Sequence, residues 1–255
     1  MSTLSRPDPW IELRRHTTAR IAIGSSGNSL PTSELLRFGV AHAQARDAVH
    51  LPLEVQPLRA ELERCGFDVL ELESAAPDRA TYIRRPDLGR RLSARSCDVL
   101  RAIDAPQCDV LFVIGDGLSA TAVQCHAATV LAKLHPRLEE AGLRLGPVVI
   151  ARQARVALGD PIGETLRARL VLLLIGERPG LSSPDSLGAY LTWAPRTGRA
   201  DSERNCVSNI RPQGLPPVAA AHKLAWLITE ARRLATSGVA LKDGSGSDLI
   251  ADSDR

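Results

Sequence analysis

Three short stretches put chemically capable side chains where an apolar or ordered run gives out. Gly115-Asp116-Gly117 follows "CDVLFVI", Glu177-Arg178-Pro179-Gly180 follows "LVLLLI", and Cys206 stands in the polar stretch "ERNCVSNIRPQG". A carboxylate can accept hydrogen bonds from a ligand or exchange a proton. A guanidinium can hold an anion or tie down a loop, and a thiol can be a nucleophile or a small, soft contact. Adjacent residues of an extended chain point to opposite sides, so Glu177 and Arg178 are expected to serve different partners. The expected division gives Glu177 to a ligand and Arg178 to its own loop. Asp116 has two readings, an acid facing a ligand or the cap of the following helix.

Cys206 also has two readings. With His126, in "AVQCHAATV", as base and Asp116 as orienting acid, it would make the chain a stand-alone cysteine-dependent hydrolase. Neither a Gly-x-Ser-x-Gly elbow nor a cysteine-hydrolase signature accompanies it, so a contact role stays equally open. Phosphate-cradling patterns are missing too: Gly115-Asp116-Gly117 is not Gly-x-Gly-x-x-Gly, and no Gly-Lys-Ser follows it.

The elements that must position these residues form a clear alternation. "CDVLFVIGDG", "GPVVIARQ" and "RLVLLLIGE" are short, almost wholly apolar runs of the kind buried on both faces of a parallel sheet. "LSATAVQCHAATVLAKL" and "DPIGETLRA" lie between them in helical style, and "PVAAAHKLAWLITEARRLA" reads as a last helix. The pattern predicts an α/β fold with an open, mostly parallel sheet flanked by helices and a helical N-terminal region. In that region "PTSELLRFGVAHAQARDAV" and "PLRAELERCG" read as helices, "FDVLELES" as a half-buried strand, and "RPDLGRRLSARSCDVLRAI" as one further helix. The expected organisation is a helical region with one strand over residues 1–105, an α/β domain over 106–240, and a disordered tail over 241–255. Ligands of open α/β sheets sit outside the carboxyl ends of the strands. Asp116-Gly117, residues 152–156 and Glu177 are therefore expected along one edge.

Composition narrows the partners. Among 255 residues, 32 basic and 29 acidic side chains leave a net charge of only +3, and aromatics are 3%. The core must be aliphatic, and a nucleic-acid binder's concentrated positive charge with aromatic platforms is not visible. No apolar run approaches the roughly 18 to 20 residues that span a bilayer, and "MSTLSRPDPW" lacks the layout of a secretory signal. A cytoplasmic location is expected. Cys65, Cys97, Cys108, Cys125 and Cys206 are an odd number without a Cys-x-x-Cys pair, which argues against a disulfide framework or a zinc site.

Taken together, "YIRRPDLGRRLS" (82–93), "IGDGLSA" (114–120), "DPIGE" (160–164), "LIGERPGLSSPDSLGAYLTWAPR" (174–196) and "ERNCVSNIRPQGLPP" (203–217) resemble the small subunit of ethanolamine ammonia-lyase. The resemblance runs from about Trp10 to the last helix. It implies a cofactor-binding subunit of a carbon–nitrogen lyase that converts ethanolamine to acetaldehyde and ammonia with adenosylcobalamin. A large TIM-barrel subunit would hold ethanolamine and carry the chemistry. The small subunit would close over cobalamin in a hetero-oligomer, within or outside a bacterial microcompartment.

Carried over residue by residue, the cobalamin contacts fall on Val156, Glu177 and Cys206. No catalytic residue and no metal ligand is implied in this chain. Two departures stand out: Ala154 precedes Arg155 where relatives are expected to have glycine, and the long N-terminal extension of some relatives is not seen. The Asp-x-His-x-x-Gly pattern that replaces cobalamin's own base is absent, which implies a cofactor bound with dimethylbenzimidazole on cobalt.

Overall fold

Strand residues that alternate between two buried faces organise the chain. The computed structural model describes residues 5, 6, 8, 10–17, 19–104 and 106–246. A small antiparallel ribbon, β1 (Ser5–Arg6) and β2 (Ser25–Ser26), precedes α1 (Thr32–His50) and α2 (Val55–Arg64). Then come β3 (Val69–Glu73), α3 (Arg79–Arg84), α4 (Ala94–Ala102), β4 (Val110–Gly115), α5 (Ala120–Glu140) and β5 (Leu145–Arg152). The chain continues through α6 (Gly159–Thr165), β6 (Leu170–Gly176), β7 (Leu187–Trp193), β8 (Arg204–Ile210) and α7 (Pro217–Leu234).

The main sheet has the order β3-β5-β4-β6-β7-β8. Its first four strands are parallel, and β7 and β8 are added antiparallel at one side. The sheet is thus mixed but mostly parallel and flanked by helices, as the apolar runs predict. The strand expected within the first 105 residues, β3, is the edge strand of this same sheet.

In β4 and β6 the period of two sorts the side chains onto two faces. Val110, Phe112, Ile114, Leu170, Leu172 and Leu174 pack with α5 and α7 on one face. Leu111, Val113, Val171, Leu173 and Ile175 pack on the other with Leu158, Ile162, Leu166 of the α6 region and Leu100 of α4. Truncating any one of these buried leucines to alanine costs about 2–5 kcal/mol. β4 returns to β5 through α5 on the first face, and β5 passes to β6 through α6 on the second. The chain therefore leaves neighbouring strand ends toward opposite faces, which opens a crevice at their carboxyl edge.

Helix starts follow the sequence. Ser119 accepts from Ala122 N–H at 3.1 Å, Ser93 from Ser96 N–H at 3.1 Å and Asp78 from Thr81 N–H at 2.7 Å, each satisfying an otherwise orphaned donor. The stretch read as one helix over "RPDLGRRLSARSCDVLRAI" is instead a single 3-10 turn (Leu88–Arg90) and then α4. Gly89 packs under the Tyr82 ring, and the extended Ser93 restarts the helix as its cap. The polar stretch around Cys206 that reads as a loop is strand β8. It lies at the sheet edge, where Arg204, Val207 and Ile210 are buried, Asn205 is half-buried against Gly238 and Leu241, and Cys206, Ser208 and Asn209 are exposed. Beyond α7, Leu241 and Ser245 are buried and Lys223 Nζ meets Asp243 at 2.6 Å. Of the tail expected from residue 241, residues 247–255 lie outside the described residues.

A buried ion pair joins α6 to β8. Arg204 donates to both carboxylate oxygens of Asp160 at 2.7 Å and to Thr192 Oγ1 at 2.9 Å, and both charged side chains are 2% exposed. Removing one partner leaves an uncompensated buried charge, a change that costs about 3–5 kcal/mol. Asp160→Ala is therefore expected to lose that amount in urea unfolding, and adding Arg204→Met is expected to restore part of it. A double variant no more stable than Asp160→Ala would show that packing, and not the stranded charge, sets the loss.

Candidate functional site

The carboxyl ends of β4 and β6 touch backbone to backbone. Leu118 N–H donates to Gly176 O at 2.9 Å, and a Cβ at position 176 would sit 2.0 Å from Ser119 O. Only glycine permits that approach. Beside this seam lies an open cleft of about 410 Å³. Leu118, Val156, Ile175 and Tyr190 give it apolar walls, and Arg155, Glu177 and Arg178 supply charge. Two of the three expected contact residues, Val156 and Glu177, thus line one cleft at the expected edge.

Asp116, at the end of β4, is 1% exposed and turns away from the cleft wall toward β5. Its carboxylate accepts from Ala154 N–H at 2.9 Å, Gln153 N–H at 3.0 Å and Arg79 at 3.3 Å. Burial pushes its carboxyl above the usual range, opposed by Arg79 and the backbone N–H groups. Of its two readings, neither ligand acid nor helix cap describes it: Ser119 caps α5, and Asp116 clasps the turn after β5. That turn carries Gln153 at φ 55°, a strained setting for a side chain, and delivers Arg155 and Val156 to the cleft.

Glu177 is half-buried and already hydrogen-bonded. Ser186 and Ser208 donate their hydroxyls to it, one to each carboxylate oxygen, and Asn209 N–H donates at 3.1 Å. The carboxylate therefore fastens the end of β6 to β8, the role expected of Arg178. Arg178 itself is exposed at the cleft. A carboxylate offers about four acceptor sites, so three donors leave Glu177 capacity for one more.

Cys206 does not line the cleft. It pairs across β7–β8 with Tyr190, whose ring does. Desolvation against the sheet raises the thiol pKa, with Tyr190 opposing and Glu177 adding to the rise, so the group is a neutral thiol at physiological pH. Tyr190 packs on the α6 face, and its cross-strand partner Cys206 shares that face. His126 belongs to α5 on the other face, where it meets Asp185 at 3.3 Å. The hydrolase arrangement of Cys206, His126 and Asp116 is thereby overturned: the sheet stands between thiol and imidazole, and Asp116 is committed to Gln153, Ala154 and Arg79. Tyr82, which lines the cleft, and Arg79, which lies against its ring, were not singled out by the sequence. Tyr82 opens the block "YIRRPDLGRRLS", whose chemistry depends on β5 lying alongside, and Arg79 stands three residues before it.

The chain is of the class built on an open α/β sheet with a cleft of mixed apolar and charged lining at the carboxyl ends of its strands. Its sequence matches the ethanolamine ammonia-lyase light chain family over residues 7–242, and the chain belongs to that family. It is 51% identical over 255 residues to the ethanolamine ammonia-lyase small subunit of Xanthomonas campestris pv. campestris (strain ATCC 33913), covering 98% of this chain and 94% of the relative. Identity to the small subunit of Azotobacter vinelandii is 55% over 239 residues, covering 92% of this chain and 88% of that one. For the small subunit of Rhodopseudomonas palustris it is 54% over 246 residues, covering 95% and 94%. Among the described residues no helix is long and apolar enough to cross a membrane, and no cluster of potential ligands could hold a metal ion.

The state of Cys206 has a direct readout. A thiol whose pKa is raised stays protonated through neutral pH and becomes reactive only as pH climbs past the usual thiol value of 9.0. Iodoacetamide labelling of Cys206, followed by peptide mass spectrometry, is expected to be slower at pH 7.5 than that of glutathione and still rising above pH 9. Rapid labelling at pH 7 would identify an activated thiolate and restore a nucleophilic role.

Proposed function

We propose that this chain is the cofactor-closing small subunit of an adenosylcobalamin-dependent ethanolamine ammonia-lyase, with Val156, Glu177 and Cys206 contacting cobalamin. The observation that carries the reading is the cleft: Val156 and Glu177 line it together, and Cys206 stands outside it beside Tyr190, whose ring lines it. The donor set suits a corrinoid. Val156, Leu118 and Tyr190 offer apolar surface to the corrin, and the remaining acceptor site of Glu177 suits an amide N–H of a side arm. Cys206, neutral and small, supplies a close contact without charge. When bound, adenosylcobalamin supplies radical chemistry through homolysis of its cobalt–carbon bond. The chain's own residues bind and orient the cofactor and keep water from one side of it.

A second support is the surface. Trp10, Ile11, Leu35, Leu36, Phe38 and Val40 are all exposed, and α1 buries only Ala41 and Ala48. A surface that apolar on a short segment marks an interface, and the partner proposed for it is the large TIM-barrel subunit that holds ethanolamine. The resulting hetero-oligomer would work in the cytoplasm, inside or outside a microcompartment shell.

Two measurements test the reading. The purified chain supplied with adenosylcobalamin is expected to turn over no ethanolamine, and the complex with its large subunit is expected to do so; turnover by the chain alone would end the proposed division of labour. In the complex, Glu177→Ala is expected to raise the cobalamin dissociation constant about ten- to hundredfold, the worth of a charge-assisted hydrogen bond. Because Glu177 also fastens β6 to β8, its melting temperature should fall as well. Glu177→Gln, which can still accept, should lose less of both. Reduced stability with unchanged cobalamin affinity would limit Glu177 to bracing.

A further inference from the structure

Arg155 is a charged group of the cleft that the fold, among the described residues, leaves without an acid. Its Nε is buried with no hydrogen-bond partner. Its guanidinium carbon lies 4.4 Å from the centre of the Tyr82 ring. The carboxylates on either side are both engaged: Asp116 by Ala154, Gln153 and Arg79, and Glu177 by Ser186, Ser208 and Asn209. Arg178 opens on the same cleft and makes no ion pair among the described residues. The unspent polar capacity of the cleft is therefore mainly cationic.

Arg155 is also held in one orientation. Its N–H donates to Gly89 O at 2.8 Å, and a Cβ at Gly89 would sit 2.9 Å from Arg155 Cγ and 2.8 Å from the Tyr82 ring. Tyr82 is itself fixed, its hydroxyl donating to Ala154 O at 2.8 Å. A planar guanidinium stacked on an immobile ring retains its outer N–H groups for an acceptor, and a half-desolvated charge is best satisfied by an anion.

We propose that Arg155, with Arg178 at the rim, holds the phosphodiester of the cobalamin nucleotide loop. The proposal rests on the cofactor reading above and deepens it. Cobalamin's side arms are neutral amides, so the phosphodiester is the group of its periphery whose charge complements these two arginines. A neutral carbonyl in its place would leave Arg155 uncompensated. The arrangement also divides the cleft, with Val156 and Tyr190 toward the corrin and Arg155 toward the nucleotide.

The test compares cyanocobalamin with dicyanocobinamide, a corrinoid lacking the nucleotide loop and its phosphodiester, by absorbance titration of the complex with its large subunit. Arg155→Gln is expected to raise the cyanocobalamin dissociation constant about ten- to hundredfold and leave that of dicyanocobinamide unchanged. Arg155→Lys should fall between, and Arg178→Gln should show a smaller loss with the same selectivity. Equal losses for both corrinoids, or no loss for either, would overturn the phosphodiester assignment and leave the cofactor reading intact. A wild-type complex that binds neither corrinoid would overturn the cofactor reading, and this proposal with it. Should Arg155→Gln fail to fold, by circular dichroism, Arg178→Gln and the salt dependence of the wild-type complex decide. Added KCl should weaken cyanocobalamin binding and spare dicyanocobinamide, and equal sensitivity would overturn the assignment.

Discussion

Burying the Asp116 carboxylate at the end of β4 removes it from water, and that cost is offset chiefly by donors brought from elsewhere in the chain. The N–H groups of Gln153 and Ala154 come from the end of β5, and a guanidinium comes from Arg79 on α3. One side chain thereby fixes three segments that are distant in sequence. The turn it clasps holds Gln153 in a left-handed conformation, and the next two residues are Arg155 and Val156. Loss of the carboxylate would strand two backbone donors and a side chain only 10% exposed.

The other wall is held by the same kind of logic with a different carboxylate. Glu177 gathers Ser186, Ser208 and Asn209, so β6, the turn into β7 and edge strand β8 are tied at one point. Lower on β8, the Arg204–Asp160 pair ties that strand to α6. An edge strand with half its residues exposed gains little from hydrophobic burial, and these two polar clasps hold it in register instead. Cys206 lies between them, which explains how a thiol in a polar stretch comes to stand on ordered sheet.

These clasps also explain what the sequence could and could not reveal. β4, β5 and β6 are buried on both faces, and burial of that kind writes itself as uninterrupted apolar runs. Their carboxyl ends could be aligned from the fold class alone, which brought Val156 and Glu177 to one edge. β8 was hidden because its outward face is polar, so "RNCVSNI" reads as loop. The partners of Glu177 were hidden for a related reason: Ser208 and Asn209 lie 31 and 32 residues further on, and only the β6–β7–β8 register brings them near. Tyr82 and Arg155 stack across 73 positions of sequence, through contacts that no periodicity encodes.

The openness of the cleft has a thermodynamic consequence on the cofactor reading. Pockets that bind alone enclose most of their ligand, typically 70–90% of its surface. A corrinoid exceeds what a one-sided cleft of about 410 Å³ can enclose, so its remaining surface must be covered by the second subunit. Cofactor and partner then share one interface, and linkage makes their affinities reciprocal: whatever factor the partner adds to cobalamin binding, cobalamin adds to subunit association. Charge reinforces the coupling. On the same reading, Arg155 and Arg178 would raise the electrostatic cost of closing the interface while they lack an anion, and an anionic group between them would reverse that sign. Closure without cofactor would then be disfavoured, on the proposed reading, by the same residues that favour closure with it.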